Sequence, residues 1–309
     1  MDLKQLKYFV VLAAQQHFGR AASVLHVAQP AISRQIRLLE EELGVQLFER
    51  HARGATPTAE ALFLVERASF MLRYAEQTKL DMTALQREPR GPVSIGLSSS
   101  LAAILIVPLM RTMRERYPEV RLRIVEGFSP ALQRMLAEGT VDIAVLNGPI
   151  QQSSLTTLPL LVETMCLIGR AGDRRVRGTT VRFQRLGDWP LVMTGLAKSG
   201  VRLELETKAA HLDVTLNEAV EVETLDVAKR LVIDGGELTV HFAANVRKEL
   251  EAKILRALPI PGLTLRRVLA RASDRPASRA TEVAMTTLAA QIREEVKSGR
   301  WTNAELEDA

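Results

Sequence analysis

A serine and two arginines share one side of a predicted helix in the stretch HVAQPAISRQIRLLEEELG, residues 26–44. At about 100° per residue, Ser33, Arg34 and Arg37 occupy an arc separate from the apolar stripe of that helix. Arginine can pair with guanine edges, glutamine with adenine, and serine with a base or a phosphate. On an arbitrary amphipathic helix these three side chains would form a solvated face, and it is the arrangement of elements around this helix that favours recognition of a nucleic acid.

The start and the packing face of this helix are both visible in the sequence. Pro30 lacks an N–H, which a first-turn position does not need, and its fixed φ starts the helix. The apolar stripe at helical spacing, which we expect to be buried, consists of Ile32, Ile36, Leu39 and Leu43. The face that carries Ser33 is thereby left for a partner.

Two further helices are predicted upstream. The first follows from apolar residues at i, i+3, i+4 and i+7, namely Leu6, Phe9, Val10 and Ala13. The second starts near Gly19 and ends at Leu25, and the short turn HVA after it makes two helices cross steeply. His26 lies where such a turn often needs a positive φ, which histidine tolerates better than most residues. This arrangement predicts a helix-turn-helix.

A short hairpin is predicted after the third helix. Gly44 ends the helix, VQLFER indicates a strand, and HARGA indicates a hairpin tip before TPT. Helix, tight turn, proline-started helix and hairpin together predict a winged helix-turn-helix over residues 1–58. Its hairpin would bring Arg50 and Arg53 to flanking phosphates or to the minor groove.

The order FGRAASVLHVAQPAISRQIRLLEEELGVQLFERHARGATPTAEA closely resembles the DNA-binding domain of LysR-type transcriptional regulators. Within it, HVAQPAIS and GATPT are similar to the subgroup around the nitrogen-assimilation control proteins. One position departs from the family, since Ala28 stands where many relatives have a serine able to cap the recognition helix. The helical-face argument alone assigns Arg37 to DNA. The resemblance implies that the contacts with double-stranded DNA are made by Gln29, Pro30, Ser33, Arg34, Arg50 and Arg53.

The composition sets limits on the class of protein. The 309-residue chain is 47% hydrophobic and 25% charged, which predicts a globular protein of two or three domains. Its formal net charge of +5 permits a polyanionic partner without demonstrating one. We find no signal peptide, and we expect a cytoplasmic protein without membrane contact. The single cysteine, Cys166, excludes an intrachain disulfide and a multi-cysteine metal site, and its apolar surroundings disfavour a nucleophile.

A linker helix without internal glycine or proline is predicted over residues 59–87. Its small and apolar residues at alternating spacings of four and three are Ala61, Val65, Ala68, Leu72 and Ala75. Such a stripe fits a helix that pairs with its twin, and the alternative is a helix packed on its own domain. The family resemblance implies a dimer linker and a dimer or tetramer. REPRGPV then stops the helix, so residues 88–92 are the expected hinge.

Strands and helices alternate from Val93 onward, which predicts a parallel sheet flanked by helices. VSIGL, VRLRIVEG and VDIAVL are predicted strands, and RRVLARAS is expected to return the chain to their sheet. This part resembles the effector-binding domain of the same family, with two lobes similar to type 2 periplasmic solute-binding proteins. We expect lobe I at about 93–162 and 266–309, and lobe II at about 163–265. The predicted fold class is α/β multidomain: winged helix-turn-helix, linker helix and two-lobed α/β regulatory domain.

Hydroxyl and amide side chains follow several predicted strands. In such sheets, ligands bind at the carboxyl ends of the strands, and free N–H groups at a helix start can receive an anion. The candidate effector-binding residues are Ser98, Ser99, Ser100, Asn147, Thr194 and Thr224. A small-molecule effector with a carboxylate or another anionic group would suit them. The alternative for the serine triplet is a solvated helix cap.

The stretch DGGELTVHFA departs from the family pattern. Relatives commonly have Gly-x-Gly and a strand that ends in Leu-Pro, whereas here Glu237 stands at the second glycine and Phe242 at the proline. One interpretation is ordinary loop variation. The other is an altered pocket floor that changes or abolishes the effector response.

Three functions compete at this point. The first is a regulator that binds a dyad-symmetric operator, responds to an effector and has RNA polymerase as a further candidate partner. The second is a solute-binding protein, which would need an export signal. The third is an α/β enzyme, which lacks support because the five histidines offer no metal-ligand pairing and no glycine-rich phosphate fingerprint or nucleophile elbow is present. The sequence favours a regulator without catalytic residues, metal or cofactor.

Overall fold

A computed structural model describes residues 1–51, 54–84, 88–150, 152–195 and 200–307. Contacts between residues divide the chain into two compact units. The N-terminal unit comprises Met1–Arg87 with Glu138–Thr140, and the C-terminal unit comprises Glu88–Ala137 with Val141–Ala309. Within the described ranges, every helix is too short or too polar to cross a membrane.

Helices dominate the described part of the N-terminal unit. In chain order its elements are α1 (Leu3–Gln15), α2 (Phe18–Leu25), α3 (Gln29–Leu43), β1 (Phe48–His51), β2 (Gly54–Pro57) and α4 (Ala59–Ala84). Asp2 starts α1 through a capping box with Gln5, and the His17 side chain accepts hydrogen bonds from the first turn of α2. The antiparallel hairpin of β1 and β2 joins the helical core through Phe48, whose ring centroid lies 5.7 Å from that of Phe9.

The helix-turn-helix agrees with the sequence prediction except at one residue. His26 has a φ of 53°, and Gly44, which ends α3, has a φ of 69°. Pro30 lies in the first turn of α3. The buried residues of the expected stripe are Ile32, Ile36 and Leu39. The prediction that Leu43 is buried was wrong, since it is 38% exposed in the last turn of α3, beside the exposed Val45.

The apolar stripe of α4 packs within its own unit. Ala61 and Ala68 are fully buried in the core that contains α1, and Val65 and Leu72 pack against that core. For these residues the structure supports the alternative interpretation, a helix packed on its own domain. The exposed large apolar residues of α4 lie outside this stripe. Among them, Leu62 is 61% exposed and Phe63 is 62% exposed.

Strands and helices alternate through the described C-terminal unit. The strands are β3 (Gly91–Leu97), β4 (Val120–Glu126), β5 (Ile143–Gly148), β6 (Leu155–Arg170), β7 (Pro190–Thr194), β8 (Asn217–Val222), β9 (Leu238–His241), β10 (Leu255–Ala272) and β11 (Ala304–Leu306). The helices are α5 (Ser99–Arg116), α6 (Ser129–Ala137), α7 (Gly200–His211), α8 (Leu225–Arg230), α9 (Arg247–Glu251) and α10 (Arg279–Lys297). Short 3-10 helices cover Arg174–Val176, Phe183–Asp188 and Ala243–Val246.

These described strands form one sheet in the order β4-β3-β5-β10-β6-β9-β7-β8, with β11 beside β6. β3 pairs in parallel with β4 and β5, and β7 pairs in parallel with β8 and β9. The expectation of a parallel sheet is wrong at the centre, where β10 runs antiparallel to β5 and β6, and β6 runs antiparallel to β9. The reason is that β6 carries the chain from one parallel half to the other and β10 brings it back.

β6 and β10 each belong to both halves of the sheet. The return through RRVLARAS is confirmed, because residues 266–271 of β10 pair with β5. The expected lobe borders at 162 and 265 thus fall inside strands. The register of β10 against β6 shifts between Pro259 and Thr264, and again between Arg267 and Val268. Each half has its own apolar cluster, one with α5 and α10 and the other with α7.

Candidate functional site

The predicted contact face of α3 lies at the surface of the N-terminal unit. Gln29, Pro30, Arg34 and Arg37 are exposed, and Ser33 is half-buried. The buried stripe holds the opposite side of the helix in the core, so this face is free to meet a ligand. The first turn lacks a side-chain cap, as expected from Ala28.

Arg50 is exposed on β1, next to the helices. Its guanidinium carbon lies 4.9 Å from the centre of the Phe18 ring, and its Nη2 lies 4.0 Å from a carboxylate oxygen of Glu40. Arg53, the other predicted hairpin contact, lies outside the described residues. The packing on Phe18 limits the orientations open to Arg50 and places a cation beside the helix-turn-helix.

Glu40 joins α3 to the hairpin, a role that the sequence analysis missed. Its Oε1 accepts hydrogen bonds from the backbone N–H groups of Leu47 at 2.8 Å and Phe48 at 3.2 Å. Because the same carboxylate lies near Arg50, Glu40 fixes the start of β1 relative to α3. The sequence signal was an acid on the half-buried side of α3.

The serine triplet lies at the junction of β3 and α5. Ser98 caps α5, its Oγ accepting a bond from the Leu101 N–H at 3.4 Å and lying 3.1 Å from Ser100 Oγ. Asn245 Nδ2 donates to the Ser100 carbonyl at 2.9 Å, and Ser99 is exposed. The cap interpretation therefore holds for Ser98, which does not prevent the neighbouring hydroxyls from binding a ligand.

Asn147 belongs to a buried polar network. On β5, its Oδ1 accepts a hydrogen bond from Arg267 Nη1, and Arg267 Nε donates to Glu163 Oε2 at 2.9 Å. Trp301 Nε1 donates to the other oxygen of Glu163. Glu163 and Arg267 are 2% and 4% exposed, so each charge depends on the other. The network joins β5, β6, β10 and the segment after α10.

Phe242 and His241 form one wall of this network. Phe242 is buried, with the Arg267 guanidinium carbon 4.7 Å from its ring centre. The Phe242 N–H donates to His241 Nδ1 at 2.9 Å. Burial and, to a smaller extent, the charge of Arg267 lower the pKa of His241 to about 3, against the opposing effect of a hydrogen bond with Asn245. His241 is therefore neutral over the physiological range.

The remaining candidates occupy strand ends of the other half. Thr194 is buried at the end of β7, and a Cβ on the next residue, Gly195, would lie 3.8 Å from the Phe128 ring, which follows β4. A Cβ on Gly200, at the start of α7, would lie 3.2 Å from Asn147 Nδ2. The two halves thus approach each other at these ends. Thr224 instead caps α8 from an exposed position. Its Oγ1 accepts a hydrogen bond from the Val227 N–H, with 3.5 Å between nitrogen and oxygen.

The sequence analysis did not single out Glu163, Arg267, Trp301 or Asn245. A signal was present, because LLVETMCLIG and LTLRRVLARA each place a charge inside an apolar strand, where it needs a partner. The described residues contain no group of three histidine, cysteine or acidic side chains placed to hold a metal ion. The arrangement offers hydrogen-bonding groups.

Two family models match the chain. The model for the bacterial regulatory helix-turn-helix protein of the lysR family matches residues 3–62, and the LysR substrate binding domain matches residues 86–293. The nitrogen assimilation regulatory protein nac of Klebsiella aerogenes is 40% identical over 170 residues, which are 55% of this chain and 56% of that protein. The hydrogen peroxide-inducible genes activator of Pectobacterium carotovorum is 36% identical over 262 residues, covering 84% of this chain and 85% of the relative.

Solved structures share the fold over nearly the whole chain. A full-length OxyR variant from Pseudomonas aeruginosa has a TM-score of 0.73 at 24% identity, covering 100% of this chain and 99% of that one. Full-length CbnR complexed with its target DNA has a TM-score of 0.67 at 20% identity, covering 95% of this chain and 99% of that one. At these identities the structures bear on the fold alone.

Proposed function

The chain belongs to the LysR family of DNA-binding transcriptional regulators, a family of regulators rather than enzymes, and we propose on that premise that α3 enters the major groove of double-stranded DNA. The proposed contacts of the helix and the hairpin are Gln29, Pro30, Ser33, Arg34, Arg37, Arg50 and Arg53. Arg34 and Arg37 recognise bases, while Arg50 contacts flanking phosphates from its place on Phe18. Residues 1–58 form the DNA-binding domain.

Two or four copies assemble on a dyad-symmetric operator. Residues 59–87 form the linker and dimerisation helix, with Leu62, Phe63 and Met82 among the exposed apolar residues available to a second copy. Because the stripe of Ala61 and Ala68 is buried within its own unit, it does not form this contact. The assembly acts on the chromosome in the cytoplasm and, at promoters, beside RNA polymerase.

A small-molecule effector binds where the two halves of the C-terminal unit approach each other. Residues 93–309 form this effector-binding domain, connected to the linker by a hinge at 88–92, of which Gly91 and Pro92 already belong to β3. The proposed ligand-binding groups are Ser98, Ser99, Ser100, Asn147 and Thr194, with Thr224 at the rim. Since Glu163 neutralises Arg267, an anionic effector would be held by hydroxyls and N–H groups beside an ion pair rather than by an unpaired buried cation.

The substitutions in DGGELTVHFA bear on the strength of this response. Phe242 lies against Arg267 at the floor of the proposed site, which supports the hypothesis that the floor is altered. Calorimetric titration with candidate effectors tests it. Ordinary effector affinity together with an undiminished DNA response would leave loop variation as the better interpretation.

A peroxide response through cysteine oxidation is not part of the proposal, although one relative carries that function in its name. Cys166 is the single cysteine of the chain and is buried. Burial raises the pKa of its thiol to about 12, so the reactive thiolate is scarce at neutral pH. A direct thiol sensor needs the opposite environment.

The exposed arginine face of α3 on a packed helix-turn-helix is the observation that carries the proposal. The test is genomic selection, in which purified full-length protein is mixed with sheared host DNA and retained fragments are sequenced, at salt high enough to suppress non-specific binding. We expect fragments that share an inverted repeat. Uniform or absent retention that persists when host metabolites are added would contradict the proposal.

A further inference from the structure

Two short segments of the C-terminal unit meet at one end of the sheet, far along the chain from each other. Arg170, the last residue of β6, pairs with Leu255, the first residue of β10. Beside this pair, Arg256 Nη2 donates a hydrogen bond of 2.7 Å to the carbonyl of Gly178. The loop after β6 and the start of β10 therefore present their side chains in one place.

These two segments concentrate positive charge. Residues 170–178 contain four arginines and one aspartate, a net charge of +3, and residues 252–256 contain one lysine and one arginine, a net charge of +2. Together they equal the formal net charge of +5 of the whole chain. The formal charges of the remaining residues therefore sum to zero, so these two segments carry a local surplus of basic residues.

The single acid of these segments is already engaged. Asp173 accepts hydrogen bonds from Arg175 Nη2 at 2.6 Å and from Arg175 Nε at 3.1 Å. These bonds lower the pKa of Asp173, and the charge of Arg170 adds to the effect. Arg175 itself is half-buried and also donates to the Gly236 carbonyl. The remaining cations, all exposed, form what we call the basic corner: Arg170, Arg174, Arg177, Lys253 and Arg256.

We propose that the basic corner is a second contact for double-stranded DNA, one that binds the phosphate backbone without reading its sequence. This inference rests on the proposed function, in which DNA is already the ligand of α3. Four of the five cations are arginines, whose planar guanidinium presents several N–H groups to phosphate oxygens. Phosphate contacts of this kind strengthen and orient binding while the recognition helix supplies specificity.

A protein partner fits the basic corner less well. Stable protein interfaces have an apolar centre, whereas Ile254, 46% exposed, is the single large exposed apolar residue described in these two segments. The acidic edge strand β8 of a second copy is a further candidate. Its Glu218 and Glu221 are already paired with Arg202, at 3.4 Å and 2.6 Å, which reduces their attraction for another cation.

The test compares two full-length triple variants with the same loss of charge. The corner variant is Arg174→Gln/Arg177→Gln/Lys253→Gln, at three exposed positions. The control is Arg116→Gln/Arg230→Gln/Lys297→Gln, whose three exposed cations lie outside the two segments. Fluorescence anisotropy measures binding to a random-sequence duplex and to the operator recovered by genomic selection, over a series of NaCl concentrations. Tryptophan fluorescence on heating checks that both variants fold.

We expect the corner variant to have a shallower dependence of log affinity on log salt, by about 2 to 3 for three phosphate contacts, and at least tenfold weaker binding at about 50 mM salt. The loss should be equal on random DNA and on the operator, and the control should keep the wild-type slope. Equal slopes for the two variants would overturn the proposal.

A changed oligomeric state of the corner variant without DNA, measured by light scattering, would also overturn it and point to a contact between copies. Failure of the proposed function has a different result. In that case the wild-type protein would show no preference for any sequence, whereas the comparison of salt slopes on random DNA would still stand.

Discussion

The recognition face of α3 and the buried network around Arg267 use the same residue types in opposite ways. On α3, the side chains of Arg34 and Arg37 extend from a helix whose other face is packed, and both are exposed. In the C-terminal unit, Arg267 is surrounded by Glu163, Asn147 and Phe242, and is sealed from solvent. The first arginines are available to a ligand, and the second holds the fold together.

This difference teaches how burial decides what a charge does. An exposed arginine costs the folded state little, so it can be kept for binding. A buried arginine remains charged and must be neutralised, so its partners are fixed by the fold. Substitutions in the two regions should therefore separate stability from DNA affinity.

The largest expected effect is the loss of one partner in the buried pair. Glu163→Leu leaves Arg267 charged and unpaired, and should lower the free energy of unfolding of the C-terminal unit by about 3–5 kcal/mol. Urea denaturation followed by tryptophan fluorescence measures this, because Trp189 and Trp301 both lie in that unit. The double variant Glu163→Leu/Arg267→Met is the control and should be less destabilised. If the single variant is as stable as wild type, the pair does not support the fold.

Arg34→Ala should have the reverse profile. Because the side chain is exposed, unfolding should be unchanged, while affinity for the operator should fall by about 1–3 kcal/mol if Arg34 recognises a base. Titration of operator and random duplexes at matched salt measures the change. Equal losses of affinity on both duplexes would make Arg34 a phosphate contact. A loss of folding stability would show that Arg34, like Arg267, supports the fold.

The pH dependence of stability probes the wall of the network. An unfolded His241 takes up a proton near pH 6.5, whereas the folded residue does so near pH 3, so the unfolded state binds more protons between these values. The stability that depends on a neutral His241 is therefore fully present above about pH 6.5. On acidification to about pH 5, the free energy of unfolding falls by about 1–2 kcal/mol. Urea titrations at several pH values measure this, with His241→Gln as the control. A variant with the wild-type pH profile would contradict the assignment.

The smallest expected effect concerns the start of the recognition helix. Ala28 leaves α3 without a side-chain cap, so Ala28→Ser should stabilise the helix by about 1 kcal/mol. Hydrogen exchange of the amides in the first turn of α3 detects this gain, and Ala28→Val serves as a control without a capping oxygen. Unchanged protection would show that the turn before α3 already satisfies these amides by other means.

The predictability of the two regions follows from the separation of their partners along the chain. Helical spacing identified the buried face of α3 and the turn at His26, because neighbours three or four residues apart determine both. Glu163 and Arg267 are 104 residues apart and meet only after β6 and β10 have paired. The antiparallel centre of the sheet was missed for the same reason, since alternation of elements does not show which strand crosses between halves.

Local patterns also failed where tertiary packing chose between two faces. The small residues of α4 are compatible both with pairing to a twin helix and with packing inside the same unit. In the structure Ala61 and Ala68 are buried in the core that contains α1. The end of β3 at Leu97 was located correctly from sequence, but β5 runs two residues past the predicted end at Leu146, so Asn147 lies inside the strand. Its bond with Arg267 was missed because it depends on the register of β5 against β10.

The continuity of β6 and β10 has a mechanical consequence. Because both strands run through both halves of the sheet, one half cannot rotate against the other without twisting these two strands. Their ladder is irregular between Pro259 and Thr264, where torsion should meet the least resistance. An effector bound at the strand ends would then act by changing the twist of β6 and β10. The size of the resulting rotation between the two halves would depend on the stiffness of the sheet.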